Sequence, residues 1–149
     1  MIDIEKLHTM WENDSKMDPS HLDSNSLEGA RLHAKYLKMY NTSRLLLKKK
    51  EIALKEMQLT KWRYYSGKMT KEEMDTLNLD YDPFHGAAKP MKNELHQYIE
   101  ADKDIAKLKL KIEYIKVTID ALEEIISTLR WRHQTIRNII DFRKFQAGI

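Results

Sequence analysis

The run from Lys61 to Lys68 combines the side-chain types that bind single-stranded nucleic acid. Its sequence, Lys-Trp-Arg-Tyr-Tyr-Ser-Gly-Lys, mixes cations with aromatic rings at the end of a predicted helix. Cations neutralise phosphates, and flat aromatic faces stack on unpaired bases. A basic amphipathic helix that buries Trp62 and Tyr65 in a core would show the same pattern, because aromatic residues at helical spacing usually pack. The run by itself leaves both interpretations open.

Charge is divided into blocks along the chain. Residues 26–71 carry 12 basic and 3 acidic side chains, net +9, whereas residues 72–104 carry 3 basic and 9 acidic, net −6. The flanking blocks are weaker, at net −4 over residues 1–25 and net +4 over residues 105–149. A helix that is merely solvated usually mixes both signs at i, i+4 spacing. The basic block is therefore a candidate surface for a polyanion.

Composition narrows the function classes. The 149 residues include no cysteine, which excludes disulfides, thiolate zinc sites and thiol nucleophiles. The first residues lack the basic start and apolar stretch of a signal peptide, and no apolar run approaches membrane-spanning length. The expected protein is soluble and cytosolic, with no membrane partner.

No motif points to catalysis, a cofactor or a metal. The six histidines are scattered without i, i+4 pairing, which favours surface or interface positions over ligation. Asp80 and Asp82 could imitate a two-carboxylate metal site, but no third ligand is near in sequence, so a solvated acidic loop is the better interpretation. We therefore expect a protein that is not an enzyme.

The elements that must position the basic run are helices, and the predicted fold class is all-α. Residues 1–25 are acidic and rich in turn residues, which predicts a weakly ordered segment. Asn25 or Ser26 is the expected N-cap of a helix that ends near Tyr65, and Gly67 stands where a left-handed stop is expected.

Two shorter features follow that helix. The spacing of Thr70 and Glu73 is that of a capping box, which predicts a short helix near 71–78. Proline, glycine and aspartate between 78 and 90 predict a loop. Residues 26–90 would thus form a basic helical region with a loop.

Residues 91–149 contain the clearest structural signal, a long amphipathic helix predicted to drive oligomerisation. Apolar residues alternate three and four apart over five heptads, interrupted only at His133, which is typical of helix association. The stripe predicted for oligomerisation comprises Ile105, Leu108, Ile112, Ile115, Ile119, Leu122, Ile126, Leu129, Ile136 and Ile140. Further apolar residues, such as Val117 and Phe145, lie outside it. A helix with two apolar faces can contact two neighbours, or one neighbour and its own N-terminal helix, so we expect an assembly larger than a dimer.

Three blocks in a fixed order resemble one family. They are Tyr64-Tyr65-Ser66-Gly67 after the basic helix, Ala101-Asp102-Lys103-Asp104 before the apolar helix, and the ending Asp141-Phe142-Arg143-Lys144-Phe145-Gln146-Ala147-Gly148. Together they make residues 25 to 149 similar to the UvsY family of recombination mediators from T-even-type phages.

The resemblance implies a non-enzymatic accessory factor in the cytoplasm of the bacterial host. Members form rings of six or seven subunits, bind single-stranded DNA, and help load the phage recombinase onto strands coated by the single-stranded-DNA-binding protein. Their DNA-contacting cations precede the Tyr-Tyr-Ser-Gly element in a basic-x-basic pattern. Lys61 matches the second basic position, whereas Leu59 occupies the first.

With the resemblance added, the sequence predicts a set of residues that bind single-stranded DNA. Trp62 and Tyr65 share a helical face and are assigned to packing, which leaves Tyr64 as the candidate for base stacking. The predicted set is Lys48, Lys49, Lys50, Lys61, Arg63, Tyr64 and Lys68. The alternative function is a structural coiled-coil adaptor whose basic helix binds an acidic protein.

Overall fold

The computed structural model describes all 149 residues. It contains five α-helices, joined by turns and loops, and no strands. The helices are α1 (Ile4–Asp14), α2 (Leu22–Tyr65), α3 (Lys71–Thr76), α4 (Leu95–Ala101) and α5 (Lys103–Gln146). This confirms the predicted all-α class with a long C-terminal helix. None of the helices is long and apolar enough to cross a membrane.

The chain divides into two compact units. Unit 1 combines Met1–Leu47 with Tyr114–Ile149, and unit 2 is Lys48–Glu113. Helices α2 and α5 contribute residues to both units.

The N-terminal segment of unit 1 is helical and packed. Asp3 caps α1, because its Oδ1 accepts a hydrogen bond from the Glu5 amide at 2.9 Å. Leu7 is fully buried in a core with Leu32 of α2 and residues of α5, and the edge of Trp11 meets the Tyr36 ring. The prediction that residues 1–25 are weakly ordered is therefore wrong for α1.

Acidic residues near the end of α1 have partners inside the chain. Asp14 Oδ2 accepts a hydrogen bond from the Tyr36 hydroxyl at 2.8 Å and pairs with Lys35 Nζ at 2.6 Å. Burial would raise the pKa of Asp14, but hydrogen bonds from Lys35 and Tyr36 hold it below its usual range. The negative charge of this segment thus helps to hold α1 against α2.

The apolar stripe of α5 is used within the chain. Nine of its ten predicted positions are buried in the single chain, and only Ile140, at 39% exposure, is not. In unit 1 its members pack against Leu7 of α1 and Leu32 and Tyr36 of α2. The stripe therefore forms the chain's own core, and its assignment to contacts between subunits is wrong for those nine positions: Ile105, Leu108, Ile112, Ile115, Ile119, Leu122, Ile126, Leu129 and Ile136.

The ends of the helices show which local signals were informative. Helix α2 begins at Leu22, earlier than predicted, and the Asn25 side chain donates to the Asp18 carbonyl and does not cap a helix. Its C-terminus agrees with the prediction at Gly67, which has a φ of 78°. There the Lys68 amide donates to the Arg63 carbonyl at 2.9 Å, the six-residue hydrogen bond of a Schellman motif.

The short third helix and its Thr70 N-cap are also confirmed, but the Glu73 side chain pairs with Arg63 and does not complete the capping box. The Thr70 side chain accepts a hydrogen bond from the Glu73 amide at 3.2 Å, and α3 ends at Thr76. The break between α4 and α5 was not predicted from the sequence. Asp102, in extended conformation, separates α4 from α5 and caps α5 by accepting from the Asp104 amide at 2.9 Å.

Candidate nucleic-acid interface

Lys61 lies on the inner side of α2 in unit 2 and is only 6% exposed. Its Nζ is 2.8 Å from Asp104 Oδ2 and 3.2 Å from Asp102 Oδ2. Burial alone would lower the pKa of Lys61, but the hydrogen bonds to Asp104 and Asp102 outweigh burial and hold the pKa above its usual range. The ammonium is therefore charged and already paired with two carboxylates.

Asp102 joins three parts of unit 2. One carboxylate oxygen caps α5, and the other accepts a hydrogen bond from the Tyr65 hydroxyl at 2.7 Å and pairs with Lys61. Burial would raise the pKa of Asp102, but the hydrogen bonds from Tyr65 and Lys61 hold it below its usual range. Tyr65 packs as predicted, with its ring 6.0 Å from Phe84 between centroids.

Tyr64 is buried and has no free face for a base. Its hydroxyl donates to the Asp80 carbonyl at 2.7 Å, and its ring packs with Met69 and Met74. Two predicted contacts are therefore corrected. Neither the ammonium of Lys61 nor the ring of Tyr64 is available to DNA in this structure, because both groups hold unit 2 together.

Arg63 is half-exposed and ion-paired. Its Nη2 lies 2.8 Å from Glu73 Oε2, so Glu73 of α3 neutralises part of the charge of this cation. A phosphate at Arg63 would have to compete with Glu73, and such an exposed pair is worth little.

The cations that remain free lie on another side of α2. Residues spaced alternately by four and by three fall on one helical face, because 3.6 residues complete a turn. Five exposed residues share that face, and we call them the outer face of α2: Lys48, Ile52, Lys55, Leu59 and Trp62. Neither lysine forms an ion pair, and the face is about 21 Å long at 1.5 Å per residue.

Trp62 provides the aromatic surface of the outer face. It is 41% exposed, and Lys68 Nζ lies 4.5 Å from the centroid of its ring. Trp62 is therefore more exposed than its assignment to packing predicts. Since the cation lies over one side of the ring, a base would stack on the other side or displace Lys68, which could then meet the adjoining phosphate.

Lys49 and Lys50 complete the basic cluster next to Lys48. Lys49 is exposed and Lys50 half-buried, and neither forms an ion pair. Successive helical residues differ by about 100° in direction, so the three lysines point to different sides. Of the predicted set, the structure brings Lys48 onto the outer face and Lys68 beside it, and leaves Lys49 as a free neighbour.

Sequence reasoning missed Lys55 and Trp62. The signal was present, since Lys48, Lys55 and Trp62 are each seven residues apart and alternate with the apolar Ile52 and Leu59. No group of histidines and acids in the chain is arranged to hold a metal ion.

Comparison with known proteins places the chain in a family. The family model described as recombination, repair and ssDNA binding protein UvsY matches residues 10–149. The recombination protein UvsY of Enterobacteria phage T4 is 23% identical over 146 residues, which cover 97% of this chain and 98% of that protein.

The fold agrees with that relative. A crystal structure of the bacteriophage T4 recombination mediator protein UvsY superposes with a TM-score of 0.81 at 21% identity, covering 99% of this chain and all of that one. A second crystal form gives a TM-score of 0.80 at 19% identity over 97% of this chain. The chain belongs to the UvsY family of recombination, repair and single-stranded-DNA-binding proteins.

Proposed function

We propose that this chain binds single-stranded DNA along the outer face of α2 and acts as a recombination mediator. The observation that carries the proposal is one face on which unpaired lysines, Lys48 and Lys55, alternate with exposed apolar residues and end at Trp62 beside Lys68. Phosphates would meet the lysines, and a base would stack on the indole.

The proposed mechanism uses several copies of this face. One subunit offers few cations, so its affinity is weak and depends on salt. A ring of six or seven subunits would engage one strand repeatedly, and each later contact would form at high effective concentration. A strand wrapped on such a ring is withdrawn from the single-stranded-DNA-binding protein and presented to the phage recombinase.

Subunit contacts are proposed for the apolar residues that α5 leaves exposed. Trp131, Phe142 and Phe145 are each more than half exposed near the C-terminal end of α5, and Ile140 is partly exposed. Burying such side chains between subunits contributes roughly 1.5–3 kcal/mol each. This surface replaces the buried stripe as the candidate interface.

The test is a titration of fluorescent single-stranded oligonucleotide at several salt concentrations, with solution mass measured on the same samples. The variant Lys48→Gln/Lys55→Gln/Lys68→Gln removes three free cations from the proposed site. A matched variant, Lys103→Gln/Lys107→Gln/Lys111→Gln, removes three exposed lysines from α5 in unit 2.

We expect the α2 variant to keep the wild-type mass, bind more weakly and show a smaller salt slope, by about 0.7 per lost phosphate contact. The α5 variant should bind almost as the wild type does. Equal losses in both variants would place the site elsewhere. If the wild-type protein does not bind the oligonucleotide but binds an acidic protein, the result would support the adaptor function instead.

A further inference from the structure

A pocket lies between α2 and α5 in unit 1 and shares no residue with the outer face of α2. Its volume is about 210 Å³. Helix α2 lines it with Ser26, Gly29 and His33, and helix α5 lines it with Arg132 and His133. Apolar side chains, among them Leu129 and Ile136, make up much of the remaining lining, and the guanidinium of Arg132 is the one permanent charge in it.

Arg132 is only 8% exposed, yet no carboxylate lies within ion-pair distance of it. Its sole hydrogen bond runs from Nη1 to the Asp14 carbonyl at 3.5 Å, the outer limit for such a bond. Its Nε is buried and donates to nothing. A guanidinium has five N–H donors, and in this one the buried Nε–H has no partner.

The acids nearest to Arg132 are paired with other groups, although the charge of Arg132 helps to lower the pKa of Glu28 after its hydrogen bond to Arg31. Glu28 is engaged by Arg31, whose Nε lies 3.0 Å from both carboxylate oxygens. Asp14 directs its carboxylate to Lys35 and Tyr36, and only its backbone carbonyl faces Arg132. An arginine cannot escape the cost of burial by losing its proton.

The position of Arg132 is also fixed by packing. A Cβ added at Gly29 would lie 3.7 Å from Arg132 Cδ, so the arginine stem runs along the α2 backbone where a glycine stands. His133 Nδ1 lies 2.7 Å from the Arg130 carbonyl, which orients the other ring nitrogen away from its own helix. The stem of Arg132 and the ring of His133 are thus fixed at the pocket by contacts within the chain.

We propose that this pocket binds a phosphate group, with Arg132 as its main cation and Ser26, His33 and His133 as further donors. A tetrahedral oxyanion matches the forked donors of a guanidinium and can accept several hydrogen bonds at once. The phosphate is either a free phosphate or a backbone phosphate of nucleic acid, since both offer the same oxygens.

The test is thermal unfolding and calorimetric titration of the full chain with inorganic phosphate, against chloride at equal ionic strength. Phosphate should raise the unfolding midpoint saturably, by about 3–6 °C at ten times its dissociation constant, and chloride should not. The variant Arg132→Met should weaken phosphate binding at least about tenfold, the value of one charge-assisted hydrogen bond.

Two further variants keep the result interpretable. Arg130→Met removes an equal charge from an exposed position on the same helix and should keep the phosphate response. His33→Asn/His133→Asn leaves the arginine in place and should weaken phosphate binding without loss of the fold. Because Arg132 forms no ion pair, Arg132→Met should unfold no earlier than the wild type when phosphate is absent.

A competition experiment separates the two sources of phosphate. If the site takes a backbone phosphate, saturating phosphate at constant ionic strength should weaken oligonucleotide binding by the wild type but not by Arg132→Met. If it takes free phosphate, oligonucleotide binding should be unaffected in both proteins. A phosphate response that is absent in the wild type, or that persists in Arg132→Met, would overturn the proposal.

Discussion

The inner and outer sides of α2 in unit 2 use the same side-chain types for opposite purposes. On the inner side, Lys61 is buried between two aspartates, and Tyr64 donates to a backbone carbonyl. On the outer side, Lys48 and Lys55 have no ion-pair partner and Trp62 keeps an exposed ring. Burial and pairing, which composition does not report, therefore decide which cations of a basic helix can meet a polyanion.

The largest expected effect is on the inner side, at Lys61. Lys61→Met leaves the buried carboxylate of Asp102 without its main cation, and breaking a buried pair in this way costs about 3–5 kcal/mol. Urea denaturation should show this loss of unfolding free energy. Lys55→Met, the matched change on the outer face, should alter it by less than about 0.5 kcal/mol.

Equal and small losses in those two variants would contradict the comparison, because Lys61 would then behave as a surface lysine. Asp102→Asn in the Lys61→Met background sharpens the result. Removing the stranded charge should recover part of the lost stability, which a double-mutant cycle would measure.

The next largest effect is expected at Trp62. Trp62→Ala removes the stacking surface and should weaken single-strand binding by about 1–3 kcal/mol per base stacked. Fluorescence anisotropy of a labelled oligonucleotide measures this change. Tyr81→Ala, an exposed aromatic elsewhere in unit 2, is the control and should bind normally. A loss of equal size in both variants would mean that binding is insensitive to the outer face.

A smaller effect is expected at Tyr64. Tyr64→Phe removes the hydrogen bond to the Asp80 carbonyl and should cost about 1 kcal/mol of unfolding free energy. Single-strand affinity should stay at the wild-type value, since the ring is already buried. If Tyr64→Phe weakens single-strand binding without a loss of stability, the Tyr64 side chain contacts DNA after all.

The smallest expected effect is on the free energy of unfolding at acidic pH. The pKa of Asp102 in the folded chain lies below its usual value of 3.8, so the folded state binds fewer protons than the unfolded state. Its contribution to stability is present above that value and lost as pH falls through the lower folded pKa. The stability difference between the wild type and Asp102→Asn should therefore shrink on acidification, and a constant difference would show that ionisation of Asp102 is not involved.

Local signals along the chain predicted much of the fold. Gly67 ended α2 and Thr70 capped α3, because both features depend on a few adjacent residues. The periodic stripe of α5 correctly identified a buried face. Periodicity reports that a face is covered, but not whether another subunit or the same chain covers it.

The candidate site was harder to predict, because it depends on contacts between distant residues. Lys61 and Asp102 are far apart in sequence, and no local pattern shows that they form an ion pair. Helix α1 was missed for the same reason, since its order depends on Leu7 packing against α2 and α5. Helical geometry alone could have placed Lys55 and Trp62 with Lys48.

The most direct test of the outer face uses Trp62 as a reporter. In the variant Trp11→Phe/Trp131→Phe, Trp62 is the only tryptophan, and Trp11→Phe keeps an aromatic ring against Tyr36. A single-stranded oligonucleotide should quench the Trp62 fluorescence saturably, at the concentrations where anisotropy shows binding, and added salt should reverse both signals together. Full binding by anisotropy with Trp62 fluorescence unchanged would show that the DNA lies elsewhere and would contradict the assignment.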